Sequence, residues 1–276
     1  MMDFDIQFSD SPPEPRRKGF FRRHLFFSAV LVFGALALGL AGYVAYLTVS
    51  LPSVEYLRST NPHPTSLMQQ RANEAQAQGK EHGHVQYWVP LDRISESVVQ
   101  AVRMGEDAAF FTHSGFDLHE IRESVRRNLE RGVFARGAST ITQQLAKNLF
   151  LSTEKSLNRK LKEAVLAYRL ERALSKNRIL EIYLNVIEWG DDVYGIEAAS
   201  RTYFGKSAAY LDAAEAAFLA AMIPNPRWLH PATRFDSVKR GQERILGWMS
   251  RAGFLTEEEL EAAKTKKLRL RVSSPT

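Results

Sequence analysis

Cysteine is missing from all 276 positions of the chain. That excludes thiolate catalysis and disulfide staples, and it suits any compartment, an oxidising one included. No segment repeats with a period of roughly 20 to 50 residues, so solenoid and propeller architectures fall away. Metal-ligand clusters are scarce. His82 and His84 flank Gly83 with no third ligand close by in sequence, a pattern of solvent-facing histidines, and no metal site is expected. Acid is in deficit, with 31 Asp and Glu against 37 Lys and Arg, a formal net charge of +6. The surplus favours a polyanionic partner: nucleic acid, an anionic membrane surface or a phosphorylated substrate.

One long apolar run, Leu25 to Leu51, holds no charged residue. At a rise of ~1.5 Å per residue, ~20 apolar residues cross the hydrocarbon core, so this run spans it with some tilt. A cleaved signal peptide is the alternative. Its apolar region usually covers only ~7–15 residues, and the one Ala-x-Ala here, Ala35 to Ala37, falls in mid-run. Arg16, Arg17, Lys18, Arg22 and Arg23 precede the run, whereas Arg58 stands alone just after it. That bias places the N-terminus in the cytoplasm and everything past about Pro52 outside the cytoplasmic membrane. An anchor so oriented decides against nucleic acid.

Beyond it, Pro52, Pro62 and Pro64 break a connector whose Gln69–Gln78 middle suits a short helix. Val85, Tyr87 and Val89 alternate as one short strand. From Ser95 the periodicity is helical almost throughout, over 95–104, 117–131, 139–150, 156–174, 176–188, 194–204, 212–222, 236–251 and 257–266. Gly132, Gly205, Gly253 and Pro224 stop several of these, and Thr256 with Glu259 makes a capping box. The fold class is mainly α. Within 156–174, Leu157, Leu161, Ala164, Val165 and Tyr168 form one apolar stripe, with Leu166 and Leu170 opposite, beside Arg159 and Glu163. The next helix is apolar on two sides and leaves Glu181, Asn185 and Glu188 as a narrow polar stripe. Two helices buried on both sides, each with an acid-bearing face, imply a cleft lined from within.

Three clusters carry candidate chemistry. Glu106 and Asp107 stand where the first core helix ends, ahead of Phe110 and His113. Acids at a helix C-terminus oppose the macrodipole, whose negative end favours Lys or Arg. Folding does not ask for that, so the pair is a candidate for catalysis, with a solvated acidic turn as the plain alternative. The second cluster runs from Gly137 to Asn148. There Gly137 permits a turn, Ser139 can cap a helix, and first-turn N–H groups suit an anion. Gln143, Gln144, Lys147 and Asn148 project polar groups from later turns, which a helix with Ile141 and Leu145 as its core stripe does not need. Third, Arg159, Lys160 and Glu163 are spaced for ion pairs that on their own stabilise a helix by only ~0.2–0.5 kcal/mol each. Ser152 to Lys155 matches the Ser-x-x-Lys of penicillin-binding transpeptidases, but neither Lys-Thr-Gly nor Ser-x-Asn follows, so the match is chance.

Two further stretches follow in order, Arg178-Ile-Leu-Glu-Ile-Tyr-Leu-Asn185 and Ala199-Ser-Arg-Thr-Tyr-Phe-Gly-Lys206. From about Val89 to Pro231 the set resembles the bacterial peptidoglycan glycosyltransferases that polymerise lipid II. That family is shared with the glycosyltransferase domain of bifunctional penicillin-binding proteins. One such domain behind an anchor resembles its monofunctional, biosynthetic members. The resemblance implies a lysozyme-like glycosyltransferase domain. The expected order is a cytoplasmic tail over 1–24, disordered to Pro15, a transmembrane helix over 25–51 and a juxtamembrane connector over 52–88. A catalytic core over 89–235 and a helical extension over 236–276 complete it.

The resemblance also implies roles. Glu106 is the base and Glu163 the second catalytic-site acid; Asp107, Phe110 and His113 shape the site. Ser139, Thr140, Gln143, Gln144, Lys147 and Asn148 bind phosphate and sugar. Arg159 and Lys160 face a departing pyrophosphate with Lys155, which stands where several relatives carry Arg, a fork that Lys lacks. Val133 and Phe134 fall in a stretch that is mobile and membrane-proximal in the family. No cofactor is required, with room for a divalent cation, Mg or Mn, at the pyrophosphate. Partners are lipid II, the growing glycan strand and the inner membrane, with other cell-wall synthases or division proteins as candidates. The catalytic domain is periplasmic. A lysozyme-like glycan-cleaving enzyme and an anchored wall-binding protein are the alternatives. The cations speak against the first, since they favour an ionised Glu106, the form a base uses.

Overall fold

The computed structural model describes residues 18–81, 83–131 and 139–271. The expected tail to residue 17, His82, the helix stop at Gly132, Val133, Phe134 and the turn at Gly137 lie outside the described residues. The chain divides into two units between Ser50 and Leu51. The first contains α1 (Lys18–Ser50), whose segment Phe26–Ser50 has a mean hydropathy of 2.1 and is long and apolar enough to cross a membrane.

The second unit, among the described residues, is mainly α. In order it comprises α2 (Ser66–Ala77), β1 (Val85–Gln86), α3 (Glu96–Glu106), α4 (Leu118–Arg131), α5 (Ile141–Phe150), α6 (Leu157–Ala173), α7 (Lys176–Val186), β2 (Glu188–Gly190), β3 (Val193–Tyr194), α8 (Ile196–Phe204), α9 (Ala213–Ala220), α10 (Pro231–Arg251) and α11 (Glu257–Thr265). Polar caps set most of the starts. Ser95, Ser156 and Ser175 each accept a first-turn N–H, and Thr65, Thr140, Asp212 and Thr256 form capping boxes. The core centres on α9, buried from Ala214 to Ala220, with α3 and α10 packed on it; α5 packs on α6 and α7.

Four expectations change. The boundary at 235 does not separate an extension from the core, because Val238, Ile245, Leu246 and Met249 of α10 are buried in it. α10 itself starts at Pro231 behind the cap His230, and bends where Arg234 leaves helical geometry (φ −135°, ψ 30°). Nor is 52–88 a free connector: Val54, Leu57 and Met68 join the same core, and Arg71 of α2 reaches Glu188 at 2.9 Å.

Third, α6 is buried on one side only. Glu163, Leu166, Ala167 and Leu170 face inward, whereas Leu157 is 87% exposed and Tyr168 53%. Fourth, α7 stops at Val186, and Glu188 lies on β2 in a three-stranded sheet ordered β1-β3-β2, with β1 parallel and β2 antiparallel to β3. The remaining polar stripe of α7 holds the backbone that precedes α3, and Glu181 also borders a separate cavity with Leu91 and Arg103. Asn185 Oδ1 accepts from Val89 N–H and its Nδ2 donates to Val89 O, both at 2.8 Å, and Glu181 Oε2 accepts from Leu91 N–H at 3.0 Å. These bonds clamp the chain just ahead of α3 and so fix the helix that ends in Glu106.

Candidate active site

α3 ends because Asp107 leaves helical geometry (φ −164°, ψ 79°) while its N–H still donates to Arg103 O at 2.8 Å. Its carboxylate is buried and fully engaged. Oδ1 and Oδ2 lie 2.9 and 3.1 Å from His113 Nε2, and Oδ2 also accepts from Ile141 N–H at 3.0 Å. Gly115 N–H donates to His113 Nδ1 at 3.1 Å, which leaves the ring proton on Nε2, facing Asp107. Gly115 adopts φ 91°, where a side chain is strained, and a Cβ there would stand 3.0 Å from Glu171 Cγ. Its carbonyl accepts from Thr140 Oγ1 at 2.7 Å. The loop after Glu106 is thus pinned to the start of α5.

That pinning corrects the expected anion site. The cap of α5 is Thr140 rather than Ser139, and it forms a capping box with Gln143, whose carbonyl oxygen accepts from Thr140 N–H at 3.0 Å. The anion already held at this helix start is the Asp107 carboxylate. Ser139 instead accepts from Lys160 Nζ at 2.9 Å. Phe110 is fully buried with its ring 6.4 Å from that of His113, and Asn148 is buried. Phe110, His113 and Gln143 therefore build the site from behind, while Asp107 and Thr140 also border the cleft that Glu106 faces.

Glu106 faces the other way, into a cleft of about 550 Å³ bounded also by Asp117, His119, Ser139 and Trp248. Gln144 Nε2 donates to Glu106 Oε2 at 2.7 Å, and Tyr183 of α7 donates its hydroxyl to Gln144 Oε1 at 2.9 Å. Burial pushes the Glu106 carboxyl from an ordinary 4.5 up to about 7, and the Asp107 charge adds to the rise; the Gln144 N–H and the Lys147 ammonium oppose it. Lys147 favours the ionised form, as expected of a cation, but burial outweighs it. Glu163, 3% exposed, takes Arg159 Nη1 at 2.5 Å on one oxygen and Lys160 Nζ on the other. It gathers these two cations at the start of α6.

Lys147 senses both acids. Burial lowers its ammonium pKa; the charges of Glu163 and Glu106 raise it, while those of Arg159 and Lys160 lower it. Among the described residues it makes no ion pair or side-chain hydrogen bond, so its donors stay open to an anionic ligand. Lys155 is exposed in the loop between α5 and α6. His84, half of the histidine pair, stacks on Tyr194 at 5.1 Å. Among the described residues no group of three or more His, Asp or Glu is arranged to hold a metal ion. The sequence reading passed over Tyr183 as a site residue. Its signal was one hydroxyl among the apolar positions Ile179, Leu180 and Val186 of α7, which must find a partner when buried.

Known proteins are similar to this chain in sequence. The family model described as Transglycosylase matches residues 72–250. A biosynthetic peptidoglycan transglycosylase of Thiobacillus denitrificans is 51% identical over 168 residues, covering 61% of this chain and 72% of its own. Proteins of the same description from Chromobacterium violaceum and Nitrosospira multiformis are 46% identical over 198 residues and 39% over 236. They cover 72% and 86% of this chain and 87% and 97% of their own. Among solved structures, penicillin-binding protein 1A of Haemophilus influenzae aligns with a TM-score of 0.43 at 20% identity, over 71% of this chain and a fifth (20%) of that one. The matched span runs from α2 through α10 and takes in Glu106, Lys147 and Glu163, and the chain belongs to the transglycosylase family.

Proposed function

We propose that the chain polymerises lipid II into β-1,4-linked glycan strands for cell-wall synthesis, with Glu106 as base and Lys147, Arg159 and Lys160 as the pyrophosphate-facing cations. The observation that carries this reading is the placement of a buried cleft carboxyl, Glu106, beside an open ammonium, Lys147, backed by the Glu163 ion trio. In the reaction the acceptor's 4-hydroxyl passes its proton to the Glu106 carboxylate. Its oxygen attacks the anomeric carbon of the donor from the face opposite an α-linked pyrophosphate. The carbon–oxygen bond to pyrophosphate breaks, and undecaprenyl pyrophosphate leaves with inversion. Fixed cations offset the charge that grows on the leaving group. A base with a pKa of about 7 is matched to neutral operation, where proton transfer typically contributes ~10²–10⁴-fold.

The same raised pKa would also serve a glycan-cleaving enzyme, which needs its acid protonated. Leaving-group charge separates the two, since finished glycan has no pyrophosphate to offset. Purified protein should therefore convert lipid II to polymer and leave lipid-free peptidoglycan strands at their starting length. Strands that shorten while lipid II stays intact would overturn the synthase reading.

The apolar segment Phe26–Ser50 supports an anchor, and we place the protein in the inner membrane as a single-pass, N-in chain with a periplasmic catalytic domain. A reporter active only in the periplasm should work fused after Thr276 and fail fused before Met1. The reverse pattern, or a mature N-terminus near residue 38 or 50, would refute this orientation.

A further inference from the structure

We infer that Tyr183 is a positioning residue for Glu106, acting through Gln144 by locking which face of that amide meets the carboxyl. The inference rests on Glu106 being the base. Its ground is a two-bond chain: Tyr183 O–H donates to Gln144 Oε1 at 2.9 Å, and Gln144 Nε2 donates to Glu106 Oε2 at 2.7 Å.

An amide has one accepting and one donating end, and the two ends favour opposite states of a carboxyl. The N–H₂ end stabilises a carboxylate; the carbonyl end stabilises a protonated carboxyl, from which it accepts. Gln144 alone could present either. Tyr183 removes the choice. Its hydroxyl is fully buried and its pKa is pushed well above the ordinary 10 by burial, with the Glu106 and Asp107 charges adding, so it remains an O–H donor throughout the working range. A donor at Oε1 fixes the carbonyl toward Tyr183 and turns the N–H₂ toward Glu106. Gln144 thereby works against the burial that raises Glu106.

Other charged groups face Glu106 from the elements around it. Asp107 adjoins it on the chain, and Lys147 approaches from α5. Across the cleft stand Asp117, His119, Glu120 and Arg127. The α6 trio acts on it through Lys147, and α10 contributes only the uncharged Trp248. Tyr183→Phe leaves all of these in place and deletes one hydroxyl, so it isolates the amide's orientation.

The test is the pH dependence of initial lipid II polymerisation rates in full-length protein from about pH 5.5 to 9. Tyr183→Phe should move the acid limb upward by about half a pH unit, roughly a threefold loss at pH 6. The rate should recover toward wild type at high pH, with the KM for lipid II unchanged. Gln144→Met, which keeps the length but removes both bonds, should move the limb at least as far. The Tyr183→Phe/Gln144→Met double variant should move it no further, since both act through one amide. If Tyr183→Phe does not fold, Tyr183→Met, which also lacks the hydroxyl, takes its place in the same comparison. An unmoved limb in folded variants, or shifts that add, overturns the inference. Glu106→Gln separates the two claims. Full activity there sinks the base assignment and the inference with it, whereas an inactive Glu106→Gln beside an unmoved limb sinks the inference alone.

Discussion

Glu106→Gln loses polymerisation, by about 10²-fold or more, while the protein becomes more stable above neutral pH. Both halves follow from one carboxyl. Gln keeps the shape of Glu and can still meet Gln144, but it cannot accept the acceptor's proton. For stability, the sign follows from the raised pKa. The folded carboxyl titrates near 7 and the unfolded one near 4.5, so as pH rises between these values the unfolded chain sheds its proton first. Folding therefore loses stability through that window and stays penalised above it. The penalty reaches about 3 kcal/mol at most, and the uncharged amide avoids it. Melting curves of the two proteins should coincide near pH 4 and separate by pH 8, with the variant higher. Near-normal turnover would remove Glu106 from the base role; a variant that melts lower at pH 8 would show that burial does not raise this carboxyl.

The sequence exposed this residue because its position is wrong for folding. Acids at the end of α3 oppose the helix dipole, and neither capping nor packing accounts for both. Asp107 turned out to have a structural reason, as the carboxylate on the first N–H of α5; Glu106 did not. Most helices were legible for a similar reason, since their caps are local and obey side-chain chemistry. What could not be read was anything settled by contact across the chain. The apolar stripe of α6 was assigned to the core, yet Leu157 and Tyr168 face out, because a helix apolar on two sides does not say which side its neighbours cover. Ile187 and Glu188 continue the period of α7, but pairing with β3 and with Arg71 takes Glu188 into a strand. The motifs did not disclose that Phe110 is fully buried or that Gln143 caps α5. Gln144 and Tyr183 lie 39 positions apart, and only the packing of α5 on α7 makes them a pair.

Glu163→Gln tests the other half of the site, and its effect should fall on the opposite limb of the pH profile. In the folded protein Glu163 holds Arg159 and Lys160, one on each oxygen. Removing one member of a buried ion pair typically costs 3–5 kcal/mol, because the remaining charge is left without a partner. Here Lys160 is 45% exposed and can return to water, while Arg159 is 17% exposed and cannot do so as easily. The expected loss is nearer 2 kcal/mol, a fall of roughly 4–8 °C in melting temperature for a domain of this size. Activity should fall as well, through Lys147. Among the charges acting on that ammonium, Glu163 is the strongest that keeps it protonated, against burial and against Arg159 and Lys160. Without Glu163 the ammonium loses its proton at lower pH, and with it the charge that would meet pyrophosphate. The alkaline limb of the rate profile should therefore move down. The acid limb should stay, because Gln144, Lys147 and Asp107, rather than Glu163, are the groups acting on Glu106. Rates and melting curves measured on the same preparations decide it. A folded Glu163→Gln variant with an unmoved alkaline limb would show that the cations serve only the fold of α6; a displaced acid limb would mean that Glu163 acts on Glu106 directly, as a second acid of the reaction.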